Sequence, residues 1–95
     1  MIVSWGDKKG KQLKAFFVRG TKRGLRAEHL DRIARQLDML DAAMTVEDMD
    51  KPGWGLHPLR GSRNGVWAVK VNGPWRITFR FVDGNAHVVD YEQYH

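Results

Sequence analysis

Four side chains in this 95-residue sequence can move a proton near neutrality, namely His29, His57, His87 and His95. Their spacing offers no paired metal-ligand pattern. The absence of cysteine excludes thiolate nucleophiles, disulfides and cysteine-based zinc sites together. The other candidate chemistry lies in arginine. Over Trp75-Arg76-Ile77-Thr78-Phe79-Arg80-Phe81 the apolar residues hold the odd positions and the polar ones the even, the period of a half-buried strand. Arg76 and Arg80 therefore share the face turned from the core, where guanidinium groups can meet phosphate with paired hydrogen bonds. Any half-buried strand also shows water a polar face, so alternation alone gives these arginines a capacity and no partner.

The charge points the same way. Sixteen basic and eleven acidic residues give +5, a balance that favours polyanionic partners. Its distribution is uneven. Residues 1–26 carry Lys8, Lys9, Lys11, Lys14, Arg19, Lys22, Arg23 and Arg26 against Asp7 alone, or +7. Residues 27–50 carry two arginines against seven acids, or −5, and residues 51–95 six basic residues against three acids, or +3. The basic candidates for RNA contact are Lys8, Lys9, Lys11, Lys14, Lys22, Arg23, Arg63, Lys70 and Arg80.

The elements that must position these residues follow from hydrophobic period. Leu13, Phe16 and Phe17 at i, i+3 and i+4 predict a helix over about 8–18, with Asp7 as its N-cap and Gly20 as its stop. Leu30, Ile33, Leu37, Leu40 and Met44 predict a longer helix over about 26–43. Thr45 with Asp48 resembles a capping box opening a short turn that Pro52 and Gly53 end. Residues 66–71, 75–81 and 86–91 read as strands, joined by turns at Asn72-Gly73-Pro74 and Asp83-Gly84-Asn85. Ile2, Val3 and Trp5 read as a short edge strand. The sum is one α+β domain over 1–95, a two-layer fold with an N-terminal helical hairpin packed on a small antiparallel β-sheet. Without a long apolar run or a signal-like N-terminus, the expected location is the bacterial cytoplasm, with no membrane contact.

Leu56-His57-Pro58-Leu59-Arg60-Gly61, Gly65-Val66-Trp67, Trp75-Arg76-Ile77-Thr78-Phe79 and the final Tyr91-Glu92-Gln93-Tyr94-His95 resemble, in that order, the HigB toxins of the RelE/ParE superfamily. The resemblance implies a toxin of a type II toxin-antitoxin system that cleaves mRNA on the ribosome, in contact with its rRNA, without metal or other cofactor. It also implies a helix-turn-helix, HigA-like antitoxin that neutralises the toxin and links it indirectly to operator DNA. In such a reaction the substrate's 2′-hydroxyl attacks the adjacent phosphate, which requires a base, an acid and cations around the phosphorane. By the resemblance His95 is the proton-transfer group and Arg76 the phosphorane stabiliser. His57 and Arg60 orient the phosphate or share acid–base work, and Tyr94 stacks on a base or supplies a hydroxyl. His29 and His87 match no motif and read as structural.

One position departs from the family pattern. Several members carry an acid just before the terminal Tyr-His, where this chain has Gln93, which cannot accept a proton at neutral pH. Glu92, Asp90 or the terminal carboxylate are the available substitutes. Two alternatives follow: a gyrase-poisoning toxin on the same fold, or a non-catalytic RNA- and antitoxin-binding protein.

Overall fold

The structure is a computed structural model that describes residues 1–93, so Tyr94 and His95 lie outside the described residues. Helix α1, Gly10–Arg19, buries Leu13 and lays Phe16 and Phe17 against the core, the face that its 3-and-4 spacing predicts. It stops at Gly20, whose φ of 75° lets its amide reach the Phe16 carbonyl while Thr21 reaches Ala15. Its start differs from expectation. Asp7 caps nothing; the Asp90 carboxylate, far along the chain, accepts from the amides of Lys8 and Lys9 at 3.0 and 2.6 Å. An anchor for the helix entry supplied by a distant strand is invisible to a rule that looks only at neighbouring residues.

Helix α2, Leu30–Ala42, follows a 3₁₀ turn at Ala27–His29 and buries Ile33, Leu37 and Leu40. Met44, counted in its apolar stripe by spacing, lies past the helix end and is 80% exposed, because Ala43 has already turned to an extended conformation. Asp48 accepts from the amides of Met44 and Thr45 at 2.8 and 3.1 Å, and the predicted capping box opens the 3₁₀ turn Val46–Met49.

Among the described residues the sheet has four antiparallel strands in chain order: β1 His57–Pro58, β2 Val66–Asn72, β3 Trp75–Val82 and β4 Asn85–Gln93. The two-residue edge strand β1 carries no periodic pattern and escaped the sequence reading. At the opposite edge, residues 1–6 run parallel to β4 through bridges Ile2↔Ala86 and Trp5↔Val89, the predicted N-terminal edge element. Asp83 and Gly84 both have positive φ, the geometry that a two-residue hairpin loop prefers.

One irregularity sets which way the last strand faces. Arg80 pairs with His87 and Thr78 with Asp90, so Val88 and Val89 together oppose Phe79 in a β-bulge. Before the bulge Ala86 points into the core; after it Val89 and Tyr91 do, which leaves Asp90 and Glu92 on the other face. Val88 has φ 53°, an outlier for a β-branched residue, and its amide is held by Ser4 Oγ at 2.8 Å. Both helices cover the face bearing Val69, Val71, Ile77, Phe79 and Tyr91, giving the expected α+β two-layer domain. Among the described residues no helix is long and apolar enough to cross a membrane.

Candidate active site

The register collects the candidate residues on the sheet face that the helices leave uncovered. His57 pairs with Ala68, Ala68 with Thr78, and Thr78 with Asp90, one row across the sheet. Lys70, Arg76 and Glu92 form the next row. Val66, Arg80 and His87 form the row on the other side. Directly paired residues in adjacent strands present side chains to the same face. Four of the sequence-predicted residues, His57, Lys70, Arg76 and Arg80, therefore share one surface.

This face is not uniformly wet. Leu59, Val66 and Ala68 form a small apolar cluster on it, and Thr78 and Glu92 are buried there as well. Glu92 is the centre of the polar network. Arg63 donates to both of its oxygens at 2.6 and 2.8 Å, Thr78 donates its hydroxyl at 2.6 Å, and Lys8 adds an ion pair at 3.1 Å. The Arg63 guanidinium is the main cause that holds the Glu92 carboxyl down at about 2, far below the usual range, against a burial that pushes it up. A carboxylate so held is a fixed anion near neutrality and a poor proton acceptor.

Two further placements bear on the missing acid. Gln93 pairs with Trp75, in the row whose neighbours face the helices, and so lies across the sheet from Arg76. Asp90, the second possible substitute, is committed to the amides of Lys8 and Lys9. Its closeness leaves no room for a Cβ on Gly6, which explains the glycine there.

His57 Nδ1 lies 2.9 Å from the Gly55 carbonyl, to which it donates, and this contact orients the ring. Arg76 donates from Nη1 to the carbonyls of Gly73 and Trp75 at 2.6 and 3.0 Å, which holds its guanidinium at the hairpin end of β3. Arg80 donates to the Asn64 carbonyl at 3.3 Å, and Arg60 is exposed just before the 3₁₀ turn Gly61–Arg63. Between Lys8, Arg63, Thr78, Arg80 and Glu92 lies an open hollow of about 100 Å³, room for several waters or one phosphate-sized group.

The other basic candidates lie elsewhere. Lys11 and Lys14 are exposed on α1, and Lys22 and Arg23 on the loop after it, in the helical layer. Lys9 is half-buried at the helix start. His29 is buried, with Nδ1 2.7 Å from the Tyr91 hydroxyl, as its structural reading requires. His87 stands beside Arg80 on the uncovered face, closer to the site than its lack of motif suggested. Sequence reasoning missed Thr78 as a site residue and gave Glu92 no fixed role, because a polar residue on an alternating strand carries no signal of burial. Among the described residues no three His, Asp or Glu side chains converge as metal ligands would.

Comparison with known proteins identifies the family and the fold. A family model described as the RelE-like toxin of type II toxin-antitoxin system HigB matches residues 7–95. The chain is 40% identical over 87 residues to a Proteus vulgaris protein named Endoribonuclease HigB, covering 92% of this chain and 95% of that one. Its fold is similar to that of a crystallised YafQ H87Q variant from E. coli, with a TM-score of 0.55 over 98% of this chain and 93% of the other, at 16% identity. The family match over residues 7–95, with 40% identity to the Proteus vulgaris relative over most of both chains, shows that this chain belongs to the HigB-like toxins of type II toxin-antitoxin systems.

Proposed function

We propose that this toxin is a metal-independent endoribonuclease that cuts mRNA on the ribosome and is held inactive by a helix-turn-helix antitoxin. The 2′-oxygen attacks the adjacent phosphorus, the bond from phosphorus to the 5′-oxygen breaks, and a 2′,3′-cyclic phosphate and a 5′-hydroxyl remain. His95 moves the proton, Arg76 offsets the charge on the phosphorane, and His57 with Arg60 orients the phosphate or shares the proton work. Tyr94 stacks on a base or lends its hydroxyl. Lys8, Lys70 and Arg80 flank the RNA on the sheet face, where the Arg63 guanidinium is taken up by Glu92, and Lys9, Lys11, Lys14, Lys22 and Arg23 on the helical layer meet rRNA.

The observation that carries this reading is the pairing of His57 with Ala68 and of Arg76 with Lys70 and Glu92, which puts a proton carrier and a guanidinium on one uncovered basic face. The 40% identity to a protein named as an endoribonuclease supports the same chemistry. Primer extension on cellular mRNA after induction tests it. Discrete ribosome-dependent cuts are expected, absent with Arg76→Ala and His95→Ala while both variants still bind antitoxin. DNA damage without mRNA cuts would instead indicate gyrase poisoning, and toxicity retained by both variants would remove the assigned roles.

A further inference from the structure

We infer that Arg63 and Glu92 are positioning residues whose ion pair fastens the segment carrying His57 and Arg60 to the strand that leads into Tyr94 and His95. The inference rests on the ribonuclease reading given above. In the chain Arg63 belongs to the connection between β1 and β2, while Glu92 lies in β4, on the far side of β3. Their bond therefore reaches over β3, and Thr78 of that strand joins it through its hydroxyl. One network thus touches each part of the sheet that contributes a proposed catalytic group.

The segment over 55–65 needs such a tie. It contains only the two residues of β1 and one 3₁₀ turn, and Gly55, Gly61 and Gly65 within it all have positive φ. Its backbone is held to β2 at the His57↔Ala68 pairing and by the Leu59 amide on the Val66 carbonyl. Those bonds fix the segment against its neighbour β2 and do nothing to set its height above β4. Arg63 supplies that coordinate, because a two-point guanidinium–carboxylate contact fixes direction as well as distance.

This pair is also unlike an ordinary surface ion pair. Glu92 is 7% exposed, and its remaining hydrogen-bonding capacity is taken by Thr78 and Lys8. Exposed pairs do little for a fold, whereas a buried carboxylate that loses its partner leaves an uncompensated charge. The charge persists throughout the pH range in which histidines work, since the Glu92 carboxyl is held near 2. The pair therefore acts as a fixed strut and takes no part in proton transfer.

Glu92→Gln, Arg63→Ala, Arg63→Lys and the Arg63→Ala/Glu92→Gln double variant distinguish a strut from a phosphate ligand. Single-turnover cleavage on programmed ribosomes gives the rate, a filter-binding titration gives RNA affinity, and a melt confirms folding. A strut predicts that Glu92→Gln and Arg63→Ala each lower the cleavage rate by about tenfold or more with RNA affinity unchanged. It further predicts that the double variant is no slower than the worse single one, and that Arg63→Lys recovers part of the rate. The inference is overturned if Arg63→Ala weakens RNA binding while Glu92→Gln strengthens it, since Arg63 would then be a phosphate ligand that Glu92 competes for. Wild-type rates in Arg63→Lys and Glu92→Gln would overturn it too. Arg76→Ala separates the two levels: if that variant still cleaves, the ribonuclease assignment itself fails, whereas a dead Arg76→Ala beside a fully active Glu92→Gln sinks the strut alone.

Discussion

The imidazole of His29 meets the hydroxyl of Tyr91 at 2.7 Å beneath the helices, on the reverse side of the strand that bears Asp90 and Glu92. Tyr91 also stacks on Trp75 with ring centroids 4.5 Å apart, and the Arg26 guanidinium lies over the same indole at 5.6 Å. The end of β4 is thus braced from behind by aromatic packing and in front by the Arg63 ion pair.

Burial lowers the pKa of His29 below its ordinary 6.5, so the folded state favours the neutral ring. The unfolded chain takes up the proton first on acidification, and stability is expected to fall as pH drops through about 6.5, levelling once the folded value is passed. Thermal melts between pH 7.5 and 5 check this, and His29→Gln should flatten the slope. Tyr91→Phe should lower stability by about 1–3 kcal/mol by leaving a buried ring nitrogen without its partner.

Glu92 gives the same sign in a more acidic window. Its folded pKa, at about 2, is depressed from 4.5, so its contribution is complete above 4.5 and disappears as pH falls from there toward 2. Acid unfolding followed by circular dichroism should show a steep limb in that range. Glu92→Gln is expected to be less stable at pH 7 and to have a shallower acid limb.

Val88 is expected to be replaceable with profit. It holds φ 53°, which a β-branched side chain resists, and it is 48% exposed, so little apolar burial is lost on replacement. Val88→Asn keeps the amide that Ser4 binds and tolerates the left-handed conformation. A gain of about 1 kcal/mol, or roughly 4 °C or more in Tm, is expected in a thermal melt. An unchanged or lowered Tm would show that the bulge carries no strain worth relieving.

Lys11, Lys14 and Lys22 lie in the helical layer, apart from the sheet face. Reversing all three to Glu should weaken ribosome binding and reduce the slope of log affinity against log salt by about one per lost phosphate contact. The cleavage rate on saturated ribosomes should stay unchanged. An unaltered salt slope would remove these lysines from the interface.

How much of this was legible beforehand depended on range. The α1 face of Leu13, Phe16 and Phe17 and the Asp83-Gly84 turn are written in neighbouring residues, and so is the alternation that sends Arg76 and Arg80 to one side. The motif resemblance named His57 and Arg60, which the structure sets in β1 and just before the 3₁₀ turn Gly61–Arg63. What could not be read was contact across long sequence separation. Asp90 holding the amides just before α1, Thr78 buried and bonded to Glu92, and Glu92 turned from a candidate base into a fixed anion all depend on pairings that local pattern does not encode. Met44 failed for the converse reason: helical spacing continued in the sequence after the backbone had left the helix.

The two-for-one pairing at Val88 decides which face the last part of the chain presents. The bulge absorbs one residue: if the strand instead paired straight on from His87, Val88 would oppose Phe79 and everything downstream would be inverted. Tyr91 would then turn to the RNA side and Glu92 into the aromatic core. Deleting Val88 should accordingly leave Tyr91 turned inward and Glu92 outward on a straight ladder, whereas the native length keeps that facing only by way of the bulge.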